Sequence, residues 1–345
     1  CLKNKLSVKA RTEKMKIMAD CKSTSKFLCV LIILFGTTLH FTLNNRGEKL
    51  NLPSSRVYNV PQVASELQAS DIIYHTRKNA RNYIPVVNEE YKTVFFFIGK
   101  CAASEWKRMF VRLMGSPKWC ARWIHKKEVN GLKWLDEFPI EEAQQMMTDP
   151  EWTRAVFVRN PKDRALSAFL DKAISHSDNF VTQVCSTYGG KGHDHQACVD
   201  HHLDFEFFLQ NITTAIPENV HWMTIYDQID AKWWPYINYV GYMENLSEHA
   251  EDFLRSIVSN IDGVSAWDRC GKTGWSSDER DCEAEGTSPF LKKHDKRHET
   301  DAHDKLREYY TPELEIFAED RYANDFDNPY FEFSSVELFP HTQDT

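Results

Sequence analysis

The chain has 345 residues, 42% hydrophobic and 27% charged, with only 13 Gly and 13 Pro. That composition excludes low-complexity and collagen-like classes and allows one large folded domain with appendages. The net charge of −8 is uneven: residues 1–26 carry eight Lys/Arg against Glu13 and Asp20, a net of +6, which leaves −14 for the remainder. No nucleic-acid or heparin-like partner is expected from such a surface, so an anionic ligand would need a local basic pocket.

Residues 27–43 form an uncharged run of seventeen, at the short end for a membrane span. The basic flank lies on its N-terminal side, which predicts a cytosolic tail (1–26), a signal anchor (27–43) and a luminal remainder, a single-pass type II arrangement. The long basic segment ahead of the run, with no small-x-small site after it, favours an uncleaved anchor over a removed signal peptide. The chain opens on Cys1, and Met15 and Met18 are possible starts. Residues 44–84 are polar, aperiodic and contain Pro53 and Pro61, a luminal stem. The globular domain is predicted over 85–335, with a tail at 336–345. Six cysteines follow the run, an even number that permits disulfides in an oxidising lumen. Cys185 with Cys198, and Cys270 with Cys282, are the natural local pairs. Asn211 (N-I-T) and Asn245 (N-L-S) have the form of glycosylation acceptors.

Residues 94–98, VFFFI, read as a buried strand. Gly99 permits a turn and a close backbone approach to a ligand. Ala102, Ala103 and Ser104 are small, and Ser104 is placed to cap a helix over 105–114. A helix N-terminus favours an anion, and Lys100, Lys107 and Arg108 add formal charge. The pattern suits a phosphate or sulfate. It is not the nucleoside-triphosphate loop G-x-x-x-x-G-K-[ST], because Lys100 precedes the small residues. A basic run follows: Lys107, Arg108, Arg112, Lys118, Arg122, Lys126, Lys127 and Lys133 are opposed only by Glu128. It is a candidate anion pocket or a solvated helix face.

A helix is predicted over 140–148, a second buried strand over 155–158, and a helix over 162–174 with Pro161 at its first position. Two strand–turn–helix units imply an α/β fold with a parallel central sheet flanked by helices and ligands at the strands' C-terminal ends. Arg159 leaves the second strand where its fork can grip a phosphate, and Ser167 lies two turns into the helix above it. Arg164 could reinforce that site or make an ion pair. Residues 175–203 form a polar, Gly- and His-rich insertion. Its His and Cys residues would suit zinc in form, although the two cysteines can close a loop instead. A short helix at 205–210 precedes His221-Trp222. Residues 239–242 read as a strand leading to Glu244, followed by a helix over 247–258, a long polar loop over 259–299 and a closing helix over 304–322.

Gly99-Lys100-Cys101-Ala102-Ala103-Ser104-Glu105-Trp106-Lys107-Arg108 resembles the 5′-phosphosulfate loop of Golgi carbohydrate sulfotransferases, commonly P-K-V-A-[GS]-T-N-W-K-R. Residues 157–169, FVRNPKDRALSAF, resemble the family's 3′-phosphate signature F-V-R-D-P-F-E-R-L-L-S-A-Y. His221-Trp222 resembles the family's H-W motif near the acceptor, and residues 239–246 resemble a strand ending in a Glu at the active-site rim. The family's Cys-x-x-Cys pair is missing from 223–234, so the acceptor side is rebuilt. The resemblance covers most of residues 92–333. It implies a P-loop kinase-like sulfotransferase fold, the donor PAPS (3′-phosphoadenosine 5′-phosphosulfate), a glycan acceptor, no metal, and the Golgi membrane as location. Residues 100–108 would then hold the 5′-phosphosulfate, with Lys100 on the leaving oxygen. Arg159, Arg164 and Ser167 would hold the 3′-phosphate, and His221 or Glu244 would take the acceptor's proton. A non-catalytic glycan-binding relative and a luminal kinase-like phosphotransferase remain as alternatives.

Overall fold

A computed structural model describes residues 67, 84–120, 124–126, 130–273, 275, 288–290, 300–333 and 338–339, apart from the side chains of 117 and 118. The predicted tail, signal anchor and nearly all of the stem lie outside these, as do Cys282 and most of the 336–345 tail. Among the described residues no helix is long and apolar enough to cross a membrane.

The core is one five-stranded sheet ordered β3-β1-β2-β4-β5. Strand β1 (Val86–Asn88) turns back into β2 (Thr93–Phe96), and β3 (Lys133–Trp134) pairs with β1, both antiparallel. Strand β4 (Thr153–Val158) runs parallel to β2 with Phe95 opposite Ala155, and β5 (Tyr239–Tyr242) runs parallel to β4 with Phe157 opposite Gly241. The strands that carry the two predicted motifs are therefore adjacent and parallel. The sheet as a whole is mixed, because β1 and β3, too short to show a pattern in the sequence, add an antiparallel margin.

The longer helices are α1 (Ala103–Leu113), α2 (Ile140–Thr148), α3 (Pro161–Phe169), α4 (His195–His201), α5 (Leu246–Ser256), α6 (Ala302–Tyr309) and α7 (Pro312–Arg321). Two predicted helices differ from expectation. The one over 162–174 is α-helical only to Phe169 and continues as a wider π-type turn over Leu170–Ile174. The closing helix is two helices, because Pro312 lacks an N–H and takes the first position of α7, where the Thr311 side chain accepts from the Leu314 N–H. The insertion at 175–203 is mostly helical rather than a loop. The Cys185–Cys198 disulfide, with Cα atoms 5.4 Å apart, ties its two halves together.

Aromatic side chains fill the space between sheet and helices. Trp106 of α1 is inaccessible and packs on Phe157 (4.3 Å between ring centroids), Phe290 (4.4 Å) and Phe95 (5.0 Å). Gly241 faces Phe157 so closely that a Cβ there would lie 2.4 Å from the ring. A second apolar cluster joins α3 to the 180–222 segment, α6 and α7. Through it runs a buried ion pair, Lys162 Nζ to Glu315 Oε1 at 2.5 Å. The Glu315 carboxylate also accepts from the Leu338 and Phe339 N–H groups, which fastens these two residues to α7.

We expect Trp106→Ala to cost about 3–5 kcal/mol of unfolding free energy and Gly241→Ala about 1–3 kcal/mol through overpacking against Phe157. Urea denaturation measures both. Losses well below about 1 kcal/mol would contradict this packing.

Candidate active site

The loop between β2 and α1 takes its shape from left-handed residues. Lys100 has φ +68° and Ala102 φ +54°, on either side of Cys101. Such backbone turns converge N–H groups into an anion-binding concavity. The first bond inside α1 runs from the Trp106 N–H to the Ala102 carbonyl, so the N–H groups of Ala103 and Ser104 have no acceptor within the helix. Ser104 is not the cap that the sequence suggests: Ala102 holds that position, and Ser104 Oγ lies 2.9 Å from His125 Nε2. Gly99 serves a close approach of a different kind from the one expected. A Cβ on it would sit 2.1 Å from the Val220 carbonyl oxygen, and its N–H donates to Gln228 Oε1 at 3.0 Å. It is protein backbone that needs the room.

The motif residues separate into two groups. Lys100, Ala102, Ala103, Ser104 and Glu105 line the turn and the first turn of α1. Cys101, Trp106 and Lys107 point into the protein. Burial pushes the Cys101 thiol up to about 12, so it is a neutral thiol rather than a nucleophile. Lys107 lies over the rings of Phe97 and Trp134, with Nζ 3.2 Å from His125 Nδ1, and burial lowers it to about 8. Arg108 is half-buried. The basic run is no continuous face. Arg112 is sandwiched between Trp119 and Trp275 and donates to the Cys270 and Thr273 carbonyls, while Lys133 pairs with Glu89. The Lys118, Arg122 and Lys127 side chains lie outside the described residues.

The turn after β4 lies beside the first because the strands are neighbours. Arg159 is half-buried, its Nη1 3.5 Å from the Lys100 carbonyl. Asn160 caps α3 by accepting from the Lys162 N–H, and its own N–H donates to Glu244 Oε1 at 2.7 Å. Ser167 is buried and accepts from the Thr300 hydroxyl at 3.1 Å. Arg164 is not a ligand-facing side chain. It is inaccessible, donates to the Met223 and His221 carbonyls and lies 4.0 Å from Asp325. Arg164 thus braces the segment that carries His221, because a buried guanidinium must satisfy its donors internally.

That segment has no regular structure, yet it is well anchored. Trp222 is inaccessible and donates to the Ile216 carbonyl, which leaves His221 at the edge of the site. His221 Nδ1 is buried with no hydrogen-bond partner among the described residues. Burial, then the Lys172 and Lys100 charges, lowers His221 to about 3, against the pull of Asp171. It is a neutral imidazole at any physiological pH, and so able to accept a proton. Glu244 exposes much of its surface, but its carboxyl end is packed at the start of α3. Burial raises it, opposed by the Asn160 hydrogen bond. Glu244 reads as a brace of the α3 turn.

The residue the sequence did not single out is Asp171. Its Oδ2 accepts from Lys100 Nζ at 2.8 Å and Lys172 Nζ at 3.0 Å. Asp171 lies four residues beyond Ser167 on the π-type turn that follows α3, and its partner Lys100 is 71 residues away in sequence, so no local pattern announces the contact. His125 and Gln228 were also missed: their partners lie 21 and 129 residues away in sequence. Cys120 and Cys270 are disulfide-bonded, and the suggested partner of Cys270, Cys282, lies outside the described residues. Asn211 and Asn245 are both exposed. Among the described residues no group of three His, Cys, Asp or Glu side chains is placed to hold a metal ion.

Residues 85–328 match the family model described as "Sulfotransferase family". Among characterised proteins, the chain is similar to carbohydrate sulfotransferase 9 of Homo sapiens, 28% identical over 50% of this chain and 40% of the relative. It is also similar to carbohydrate sulfotransferase 14 of Danio rerio, 25% identical over 52% of this chain and 50% of the relative. Carbohydrate sulfotransferase 11 of Rattus norvegicus is 24% identical over 56% of this chain and 58% of its own length. The chain thus spans about half the length of the curated relatives it matches. No solved structure matches it significantly.

Two outcomes follow from this geometry. Gly99→Ala should break the contact with Val220 and sharply reduce ligand-independent thermal stability, read by calorimetry. Because His221's folded pKa lies below its unfolded value, the unfolded chain takes up a proton first as pH falls below about 6.5. The His221 contribution therefore makes stability fall with pH through that window, toward about 3. Denaturation at pH 7.5 and at pH 5 should show a smaller difference in His221→Gln than in the parent. An equal difference would show that His221 is solvated.

Proposed function

Because the chain belongs to the sulfotransferase family, we propose that it is a PAPS-dependent carbohydrate O-sulfotransferase acting on a glycan hydroxyl. One observation carries the reading. The turns after the parallel neighbours β2 and β4 come together with Arg159 against Lys100, and a neutral histidine lies within electrostatic reach of Lys100. The carbohydrate names of the similar proteins support the acceptor class.

The donor supplies an activated sulfuryl group on a phosphate leaving group. The residues fit its two anionic ends. The N–H groups of Ala103 and Ser104, the Ser104 hydroxyl and Lys100 suit the 5′ side. Arg159, with Ser167 and its partner Thr300, suits the 3′-phosphate. In the reaction the acceptor oxygen bonds to sulfur as the bridging S–O bond breaks. The hydroxyl proton passes to His221, and Lys100 neutralises the charge gathering on the departing phosphate oxygen. With the donor's negative charges opposite Lys100 and Lys172, the imidazolium that forms at His221 is less disfavoured than in the free protein.

The basic flank ahead of the uncharged run 27–43 supports a type II membrane anchor with this domain in the Golgi lumen. The disulfide-bonded state of Cys120, Cys185, Cys198 and Cys270 supports an oxidising compartment.

The test is calorimetric titration with 3′,5′-ADP and with ADP, followed by transfer from labelled PAPS to glycan acceptors. Tight binding of the first alone is expected, and binding of neither would remove the donor assignment. Lys100→Ala should lower transfer by at least about a hundredfold in a protein that still folds, since Lys172 remains 3.0 Å from Asp171. Unchanged turnover would remove Lys100 from the reaction.

A further inference from the structure

Lys100 is the donor-facing cation in the proposed reaction, yet its side chain is only 8% exposed, and the carboxylate it meets, Asp171, is 4% exposed. Asp171 Oδ2 is shared between Lys100 Nζ at 2.8 Å and Lys172 Nζ at 3.0 Å. The other oxygen faces His176 Nδ1 at 3.3 Å, and the same nitrogen lies 2.7 Å from the Asp171 backbone carbonyl. Asp171 sits on the π-type turn that follows α3, four residues beyond Ser167, and there it joins the lysine of the 5′-side motif.

We propose that Asp171 is a positioning residue for the transfer reaction: it holds the Lys100 ammonium charged and aimed at the donor site. This rests on the reading of Lys100 as the donor-facing lysine. Three features carry it. The contact joins two nearly inaccessible charges, so it is not a screened surface pair. Lys100 sits in a left-handed backbone conformation that is unfavourable for a non-glycine residue, and an anchored side chain is what can hold it there. Finally, one carboxylate serves two lysines, and the Arg159 charge also acts on Lys100, so the cluster keeps a surplus of positive charge for an incoming anion.

The electrostatics around Lys100 agree. Burial lowers it to about 8; Asp171 works against that, while Lys172 and Arg159 add to it. Without Asp171, burial and the two like charges would act unopposed, and a large fraction of Lys100 would be neutral near pH 7.

The test reads Lys100 directly. The rate of acylation of Lys100 by a small amine-reactive reagent is followed against pH by peptide mass spectrometry, in the full chain without donor. The parent midpoint is expected near 8, and that of Asp171→Asn about one unit lower or more. An unchanged midpoint in a folded Asp171→Asn protein overturns the proposal. Should that variant fail to fold, Lys172→Met tests the same arrangement, because it frees Asp171 Oδ2 for Lys100 alone. The midpoint should then rise, and no rise overturns the proposal. Where transfer from PAPS is measurable, Asp171→Asn should lower kcat by about tenfold to a hundredfold, its alkaline limb should move to lower pH, and Asp171→Glu should recover part of the loss. A kcat loss with an unmoved limb would mark a purely structural role. The labelling needs no sulfuryl transfer, so its failure leaves the donor reading standing, and a failure of transfer leaves the Lys100–Asp171 result standing.

Discussion

The site depends on one close contact, the Val220 carbonyl pressed against Gly99. The oxygen occupies the place where any Cβ at position 99 would be. This brings the irregular segment 219–228, and His221 with it, onto the loop after β2. Such a segment has no ladder to satisfy its backbone groups, so side chains must do it. Gln228 accepts from the Gly99 N–H and donates to the Met223 carbonyl. Arg164 donates to the His221 and Met223 carbonyls, and Asp325 accepts from the Ile225 and Tyr226 N–H groups. Burial raises Asp325 to about 6, with Arg164 pulling the other way, a sign of how enclosed this brace is. The position of His221 is thus set by Gln228 within the segment and by residues from three distant parts of the chain, Gly99, Arg164 and Asp325.

Charge burial follows a consistent logic. Lys162 meets two carboxylates, Glu315 and Glu319, and serves the architecture. Lys100 meets one carboxylate that it shares with Lys172. A buried cation with full compensation is structural, while one left short of negative charge is poised for a ligand that brings it. Lys107 is a third case. Stacked over Phe97 and Trp134 with the His125 ring as neighbour, it is held by aromatic faces and His125 and does not open toward the loop.

The parts of this arrangement that the sequence displays are the local ones. A run such as residues 94–98 announces a buried strand, and Pro161 announces the start of α3, because both depend on neighbours in the chain. The adjacency of the two motifs also follows, since alternating strands and helices imply parallel pairing. What escapes is long-range or a break in period. Arg164 looks the same in sequence whether it faces a phosphate or the Met223 carbonyl. Asp171 follows Ser167 by four residues, and nothing nearby in the sequence announces its contact with Lys100, 71 residues away. The strands β1 and β3 are too short for an alternation to be read. Lys107 and Arg112 read as members of a basic face, although aromatic residues far along the chain enclose them.

Two departures from the family's loop sequences make physical sense when read with their distant partners. Proline, usual in the family at the position of Gly99, has no N–H to give Gln228 and carries a Cβ that Val220 would exclude. Glycine, the close approach of Val220 and the Gln228 acceptor therefore go together. Asn160 stands where the family usually has Asp. Its side chain still caps α3, since either residue can accept from the Lys162 N–H. Its backbone N–H is bound to the Glu244 carboxylate, and a second carboxylate beside it would add like-charge repulsion that the amide avoids. Random decay of a binding site would remove one partner and strand the other as an unsatisfied buried group. Here the Gly99 and Asn160 N–H groups each keep an acceptor more than eighty residues away, Gln228 and Glu244, so neither change strands a donor, which favours a site retained over one abandoned.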